Sequence, residues 1–239
     1  TALGWKAGYA YNSASEVFGS TFIGLGAGTA TTGHDNGFFG SQAGYNNTTG
    51  NYNTAVGSGA LQQNTTASNN TAVGYLAGYT NSTNQYGTFV GSQAGYSSTG
   101  DFNTFVGYYA GRSTTGEQNT FIGKYAGNAI TTGTLNTIIG AYNGNQGGLD
   151  IRTASNYIVL SDGGGSPLLY TQSVKTLVLP SGTISSGTGI AFPATQSASS
   201  DANTLDDYEE GTWTPVVTST GGTYANQAGR YTKIGRSEE

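Results

Sequence analysis

The chain has 239 residues, no Cys, a net charge of −5 and only 9% charged residues, against roughly 25% in ordinary globular domains. That balance excludes disulfides as the source of stability and leaves no Lys/Arg stripe to neutralise the phosphates of a nucleic acid. No apolar run approaches the ~18–20 residues of a spanning helix, so membrane insertion is not expected, while 17 Tyr and 9 Phe with many Val, Ile and Thr argue for strands over disorder.

From the first residue the chain repeats one phrase, Asn-Thr-apolar-apolar-Gly-x-x-Ala-Gly. Its central glycines are Gly4, Gly24, Gly40, Gly57, Gly74, Gly91, Gly107, Gly123 and Gly140, at steps of 20, 16, 17, 17, 17, 16, 16 and 17 residues. A fixed period of this kind predicts a solenoid, one coil per repeat. The expected architecture is all-β: a β-solenoid or β-roll of 16–17-residue coils, each with two short strands and two turns. An opening on Thr1 without an initiator Met reads as a segment of a longer polypeptide.

Four residues before the central Gly stands Asn36, Asn53, Asn70, Asn103, Asn119 or Asn136, followed by a Thr column. Both are expected to form ladders of like side chains up the stack, about 4.8 Å apart. Two apolar columns come next. The first includes Phe89, Phe105 and Phe121, and the second Ile23, Val56, Val73, Val90, Val106, Ile122 and Ile139; these are taken as the structural core of the repeat. Ala three residues past the Gly suggests a crowded inner position.

Adjacent strand residues point to opposite faces, yet both columns are apolar. One face fills the coil, and the other needs a second surface to cover it. Few apolar side chains per coil are set against the ordering of some 16 residues, so a homo-oligomer, a trimer, is expected.

Asn103-Thr104-Phe105-Val106-Gly107-Tyr108-Tyr109-Ala110-Gly111 and its sister repeats resemble the head repeats of trimeric autotransporter adhesins. That resemblance implies a left-handed parallel β-roll with three chains side by side.

Past residue 145 the period breaks. Asn156–Gly165 reads as a strand and Gly-rich turn, and Leu168–Tyr170 and Thr176–Pro180 as further short strands. The expected division is a β-roll shaft at 1–145, a short-strand connector at 146–180, a Ser/Gly/Thr-rich linker at 181–203 and the start of a small β-rich C-terminal module at 204–239.

Asn203-Thr204-Leu205-Asp206-Asp207-Tyr208-Glu209-Glu210-Gly211-Thr212-Trp213-Thr214-Pro215, with Gly229–Gly235 after it, closely resembles a phrase in bacteriophage tail fibre proteins. The resemblance implies a structural tail fibre: a trimeric rod on the virion tail that supports host attachment. Its partners would be itself, other tail or baseplate proteins, and a host cell-surface glycan or protein receptor. Alternatives are a trimeric adhesin of the bacterial surface and a polysaccharide-degrading tailspike.

Candidate chemistry is sparse, and no catalytic residue, metal or cofactor is expected. Asp101 and Glu117 share a column and could stack as the carboxylate pair of a glycosidase, but the other members of that column (Phe18, His34, Asn51, Ser68, Gln85 and Thr134) read as an exposed turn. His34 could form a three-His ring on a trimer axis; a solvated turn His is the plainer reading. The acidic run Asp206, Asp207, Glu209, Glu210 lacks the pattern of a Ca²⁺ loop. Gly24-Leu25-Gly26-Ala27-Gly28 lacks the Lys-Ser/Thr of a phosphate loop, and its framework glycines recur from coil to coil. The tyrosines are the remaining candidates. Tyr9, Tyr45, Tyr79 and Tyr96 share one column and Tyr109, Tyr125 and Tyr142 another, as glycan or interchain contacts.

Overall fold

The computed structural model describes residues 1–10 and 19–171, together with strands at 177–178, 208–213 and 229–234. The nine repeats each give one short strand: β1 (Ala2–Leu3), β2 (Thr21–Ile23), β3 (Gly37–Phe39), β4 (Thr54–Val56), β5 (Thr71–Val73), β6 (Thr88–Val90), β7 (Thr104–Val106), β8 (Thr120–Ile122) and β9 (Thr137–Ile139). They pair in parallel and in strict register, Thr on Thr and apolar on apolar, as in Thr104↔Thr120, Phe105↔Phe121 and Val106↔Ile122. The result is an all-β solenoid of about nine turns with coils of about 17 residues. Each repeat holds one strand rather than the two expected, because the rest of each coil is spent on turns.

The hairpin β10 (Asn145–Gln146) and β11 (Leu149–Asp150) then bulges from a longer coil. The sheet goes on past it. β12 (Ile158–Ser161) lies parallel on β9, Val159 opposite Ile138, and then pairs antiparallel with β13 (Pro167–Thr171), which pairs with β14 (Leu177–Val178). In the second compact unit, Thr183–Glu239, β15 (Tyr208–Trp213) and β16 (Gly229–Ile234) form an antiparallel pair. The linker expected at 181–203 and the residues Asp206 and Asp207 lie outside the described residues, as do the side chains of Glu209 and Glu210.

Alternation within each strand decides the core. Phe22, Phe38, Ala55, Ala72, Phe89, Phe105, Phe121, Ile138 and Val159 are buried in a single file, with the Ala column from Ala27 to Ala126 behind them. Phe105 and Phe121 stack at 5.0 Å, and a Cβ at Gly111 would collide with the Phe105 ring. Ring and glycine therefore recur as a pair within a coil. Where the file holds Ala55 instead of Phe, the partner glycine is replaced by Leu61, which is fully buried, so interior volume is conserved.

The central glycines are fixed by close approach between coils. Gly74 has φ +138°, and a Cβ there would sit 2.5 Å from the Gly91 carbonyl oxygen. No L-residue fits that backbone.

The Asn ladder forms, and it is internal. In each of Asn36, Asn53, Asn103, Asn119 and Asn136, Oδ1 or Nδ2 bonds the backbone of the following coil; Asn53 Nδ2 donates to the Ala67 carbonyl at 2.8 Å and its Oδ1 accepts the Asn70 N–H at 3.0 Å. The Thr ladder runs in a different column from the one expected. The strand threonines face outward, whereas Thr32, Thr48, Thr65, Thr115 and Thr131, eight residues past the central Gly, donate Oγ1 to the next coil's carbonyl at 2.9–3.1 Å.

Candidate functional site

Two surfaces of the solenoid stand apart from this framework. The first is the outer face of the sheet. Leu3, Ile23, Phe39, Val56, Val73, Ile122, Ile139 and Leu160 lie one per coil along it, and Val90 and Val106 continue the row half-buried. Most members of the row are 37–46% exposed. The two apolar columns named as the repeat core therefore part here. Phe89, Phe105 and Phe121 are interior, but Ile23, Val56, Val73, Val90, Val106, Ile122 and Ile139 are on the outside of this chain, because the strand puts consecutive residues on opposite faces.

Beside this row, Tyr52, Tyr86, Phe102 and Leu135 are exposed, each in the left-handed backbone region at φ 57–60°. Tyr86 and Phe102 stack at 5.0 Å and 5°. Bulky residues rarely adopt that conformation; here it is imposed by the repeat, since Asp35, Asn69 and Gln118 take it at the same position in the intervening coils.

The second surface is the corner two to five residues past the central glycines, where the candidate tyrosines stand. Tyr79 and Tyr96 stack face to face at 5.0 Å and 4°. The Arg112 guanidinium lies 5.2 Å from the Tyr96 ring and 5.0 Å from the Tyr109 ring. Tyr109 sits 5.6 Å from Tyr125 and 4.1 Å from Tyr108, and Lys124 Nζ is 5.1 Å over Tyr125. Interaction with the Tyr109 side chain, then loss of hydration, then the Tyr125 phenol push Tyr108 up to about 12. Of the other candidates, Tyr9 is exposed near Lys6, and Tyr45 is half-buried over Gly26 of the preceding coil.

Tyr142 is no surface contact. It is fully buried in the core, and its hydroxyl donates to the Leu149 carbonyl at 2.8 Å. Burial and then the Asp150 charge raise its phenol well above the usual range.

A cleft of about 290 Å³ opens next to Lys124 and Tyr125. Asn128, Asn143 and Gln146 line it, with the backbone of Gly163 and Gly164 from the turn after β12. Lys124 and Asn128 come from β8's own turn, and Asn143 and Gln146 from the longer coil that follows. Sequence inspection found the tyrosine columns but missed Arg112, Lys124 and this amide cluster. Their signal was the scarcity of cations: residues 19–171 contain Arg112, Lys124 and Arg152 alone.

Arg152 is engaged with Asp150 at 2.8 Å, which lowers the Asp150 carboxyl through that hydrogen bond. Arg112 and Lys124 take part in no ion pair among the described residues.

The other candidates resolve into framework. Asp101 Oδ1 accepts the Gln85 N–H at 2.8 Å, the job done in the same column by Asn51 for His34 and Ser68 for Asn51. His34 bonds Asp35 at 2.9 Å and packs edge-on against Tyr52. Among the described residues no three His, Cys, Asp or Glu side chains gather as a metal site requires. Comparison with protein-family models, with curated proteins and with solved structures finds no match to this chain.

Proposed function

We propose that the chain is the shaft of a bacteriophage tail fibre, a non-catalytic rod of three copies that projects from the virion tail and supports host-receptor recognition and attachment. The observation that carries it is the unbroken outer row from Leu3 to Leu160, apolar in coil after coil. Contiguous apolar surface of that extent marks an interaction face. A second and third copy, each presenting the same straight face, cover it with the fewest demands on shape. The strained, exposed Tyr52, Tyr86 and Phe102 flank the row and would extend the contact.

Placement on a virion rests on the resemblance of Leu205–Pro215 to tail fibre proteins. The other partners of such a shaft are tail or baseplate proteins at one end and a host surface glycan or protein receptor. The tailspike reading is disfavoured by Asp101, whose carboxylate serves the coil backbone.

Light scattering tests the assembly. The expected mass is three times the 24.4 kDa of one chain, and Val73→Lys is expected to yield single chains with unchanged strand content. A wild-type protein that stays a single chain at micromolar concentration overturns the trimer. Immunogold labelling tests the location: gold on phage tails supports the fibre, and gold on bacterial envelopes replaces it with the surface adhesin.

A further inference from the structure

We propose that the row Tyr79, Tyr96, Arg112, Tyr109, Tyr125 and Lys124, with the cleft at its end, is a binding track for a linear acidic polysaccharide. This deepens the attachment reading above and rests on it. The members touch in sequence: Tyr79 on Tyr96, Tyr96 on Arg112, Arg112 on Tyr109, Tyr109 on Tyr125, Tyr125 on Lys124. They climb four coils, roughly 14 Å at ~4.8 Å per coil, and lead into the cleft. All belong to one chain, so the track does not depend on a neighbour for completion.

The framework does not require these side chains. The column that holds Tyr109 and Tyr125 is occupied by Gly26 and Gly59 in other coils. Lys6, Gln42, Leu76 and Gln93 take the same left-handed backbone at this position in other coils, so the turn belongs to the repeat and the choice of Tyr does not follow from it. Tyrosines present flat apolar faces with a polar tip, which suits the faces and hydroxyls of sugar rings.

Charge narrows the ligand. In a chain of net charge −5, two of the three cations in residues 19–171 are on this track, and neither is in an ion pair among the described residues. The Arg112 guanidinium lies 5.2 Å from the Tyr96 ring and 5.0 Å from the Tyr109 ring, with Nε donating to Gln93 Oε1 at 3.4 Å, and Arg is suited to a carboxylate because its planar fork matches the two oxygens. In the cleft, the Asn128 amide and the Asn143 Nδ2 face a ligand's hydroxyls, while the Gln146 amide is held by the Asn143 N–H and the Gly164 carbonyl and shapes the wall. Two cations over this length are too few for a nucleic acid, which carries a phosphate at every nucleotide. A further copy of the chain is better matched by the uncharged sheet face.

Calorimetric titration with acidic oligosaccharides tests the track. The probes are hexagalacturonate, its fully methyl-esterified form, a hyaluronan hexamer, an α2,8-linked sialic acid hexamer and a (dT)₁₂ strand. At least one acidic hexamer is expected to bind and to weaken as salt rises from 50 to 300 mM. If hexagalacturonate binds, its ester is expected to bind at least tenfold more weakly. The pair Arg112→Gln and Lys124→Gln is expected to lose at least tenfold, and Tyr109→Gly, whose backbone is unstrained, to lose affinity without loss of fold. Light scattering of the same samples reads assembly independently, so failure to bind by an intact trimer sinks the track alone. Binding of no acidic hexamer, equal binding of acid and ester, indifference to the Arg112/Lys124 pair, or tighter binding of (dT)₁₂ each overturns it.

Discussion

The Asn119 backbone N–H donates to Oδ1 of Asn103 over 2.9 Å, so a buried amide of one coil ends on a side chain of the coil before it. Nδ2 of the same Asn103 donates to the Gly116 carbonyl at 2.9 Å. Both groups are inaccessible to water, and a buried backbone group left unpaired costs about 1–3 kcal/mol. Asn103→Ala is therefore expected to destabilise the solenoid by about 2–5 kcal/mol. Asn103→Asp should not rescue it, because the donor is lost and a charge is buried. Urea unfolding midpoints measure this. A loss under about 1 kcal/mol would show that the ladder is incidental.

Ala55 and Leu61 exchange volume with one another. In five other coils the same two positions hold Phe and Gly, as in Phe105 with Gly111. Leu61→Gly alone opens a cavity and is expected to cost about 2–5 kcal/mol. Ala55→Phe alone overpacks against Leu61 and should cost about 1–3 kcal/mol. The double variant restores the common pair and should return to within about 1 kcal/mol of the parent, a strongly non-additive result. Additive single costs in a thermal-unfolding cycle would refute the exchange. Leu61 also approaches the space above Gly78 in the next coil, so a small residual cost is expected.

Phe105 and Val106 are neighbours with opposite fates, one inside the coil and one on the outer row. Phe105→Ala is expected to cost about 3–5 kcal/mol at any protein concentration. Val106→Ala should cost little in a separated chain and more in the assembled rod. Its effect on Tm should therefore grow with protein concentration, since oligomerisation and folding are linked. Scanning calorimetry at two concentrations differing a hundredfold distinguishes the two. A concentration-independent Val106 effect would count against a covered sheet face.

The period made the coils legible, because a parallel stack needs like residues in register and writes that need into the sequence at fixed steps. It also exposed the difficulty posed by two adjacent apolar columns, although which of them was interior depends on strand phase, and three-residue strands are too short to display it. The ladder of Asn103 was readable because a buried amide in six coils leaves a column dominated by one residue type, broken only by Ser20 and Gly87. The threonines could not be sorted in this way. Both Thr104 and Thr115 stand in columns that recur from coil to coil, but only the second sits where its hydroxyl reaches the next coil's carbonyl. The Arg112–Tyr109 and Lys124–cleft arrangements break the repeat instead of obeying it, so periodicity hides them.

Alkaline titration follows from Tyr108 and Tyr142. Tyr108 is pushed up to about 12 and Tyr142 is raised by burial and the Asp150 charge. A phenol is neutral when protonated, and the unfolded chain releases that proton near pH ~10. The folded state therefore holds protons that the unfolded state has lost, and stability falls as pH climbs above that value. The stabilising contribution is complete below pH ~10 and lost progressively as pH rises toward the folded values. Urea midpoints measured from pH 8 to 12 should stay level and then decline. Tyr142→Phe keeps the ring, loses the bond to the Leu149 carbonyl, and is expected to lower the plateau by about 1 kcal/mol while making the decline shallower. A decline equally steep in Tyr142→Phe would assign the alkaline sensitivity to other tyrosines and sever it from this buried phenol.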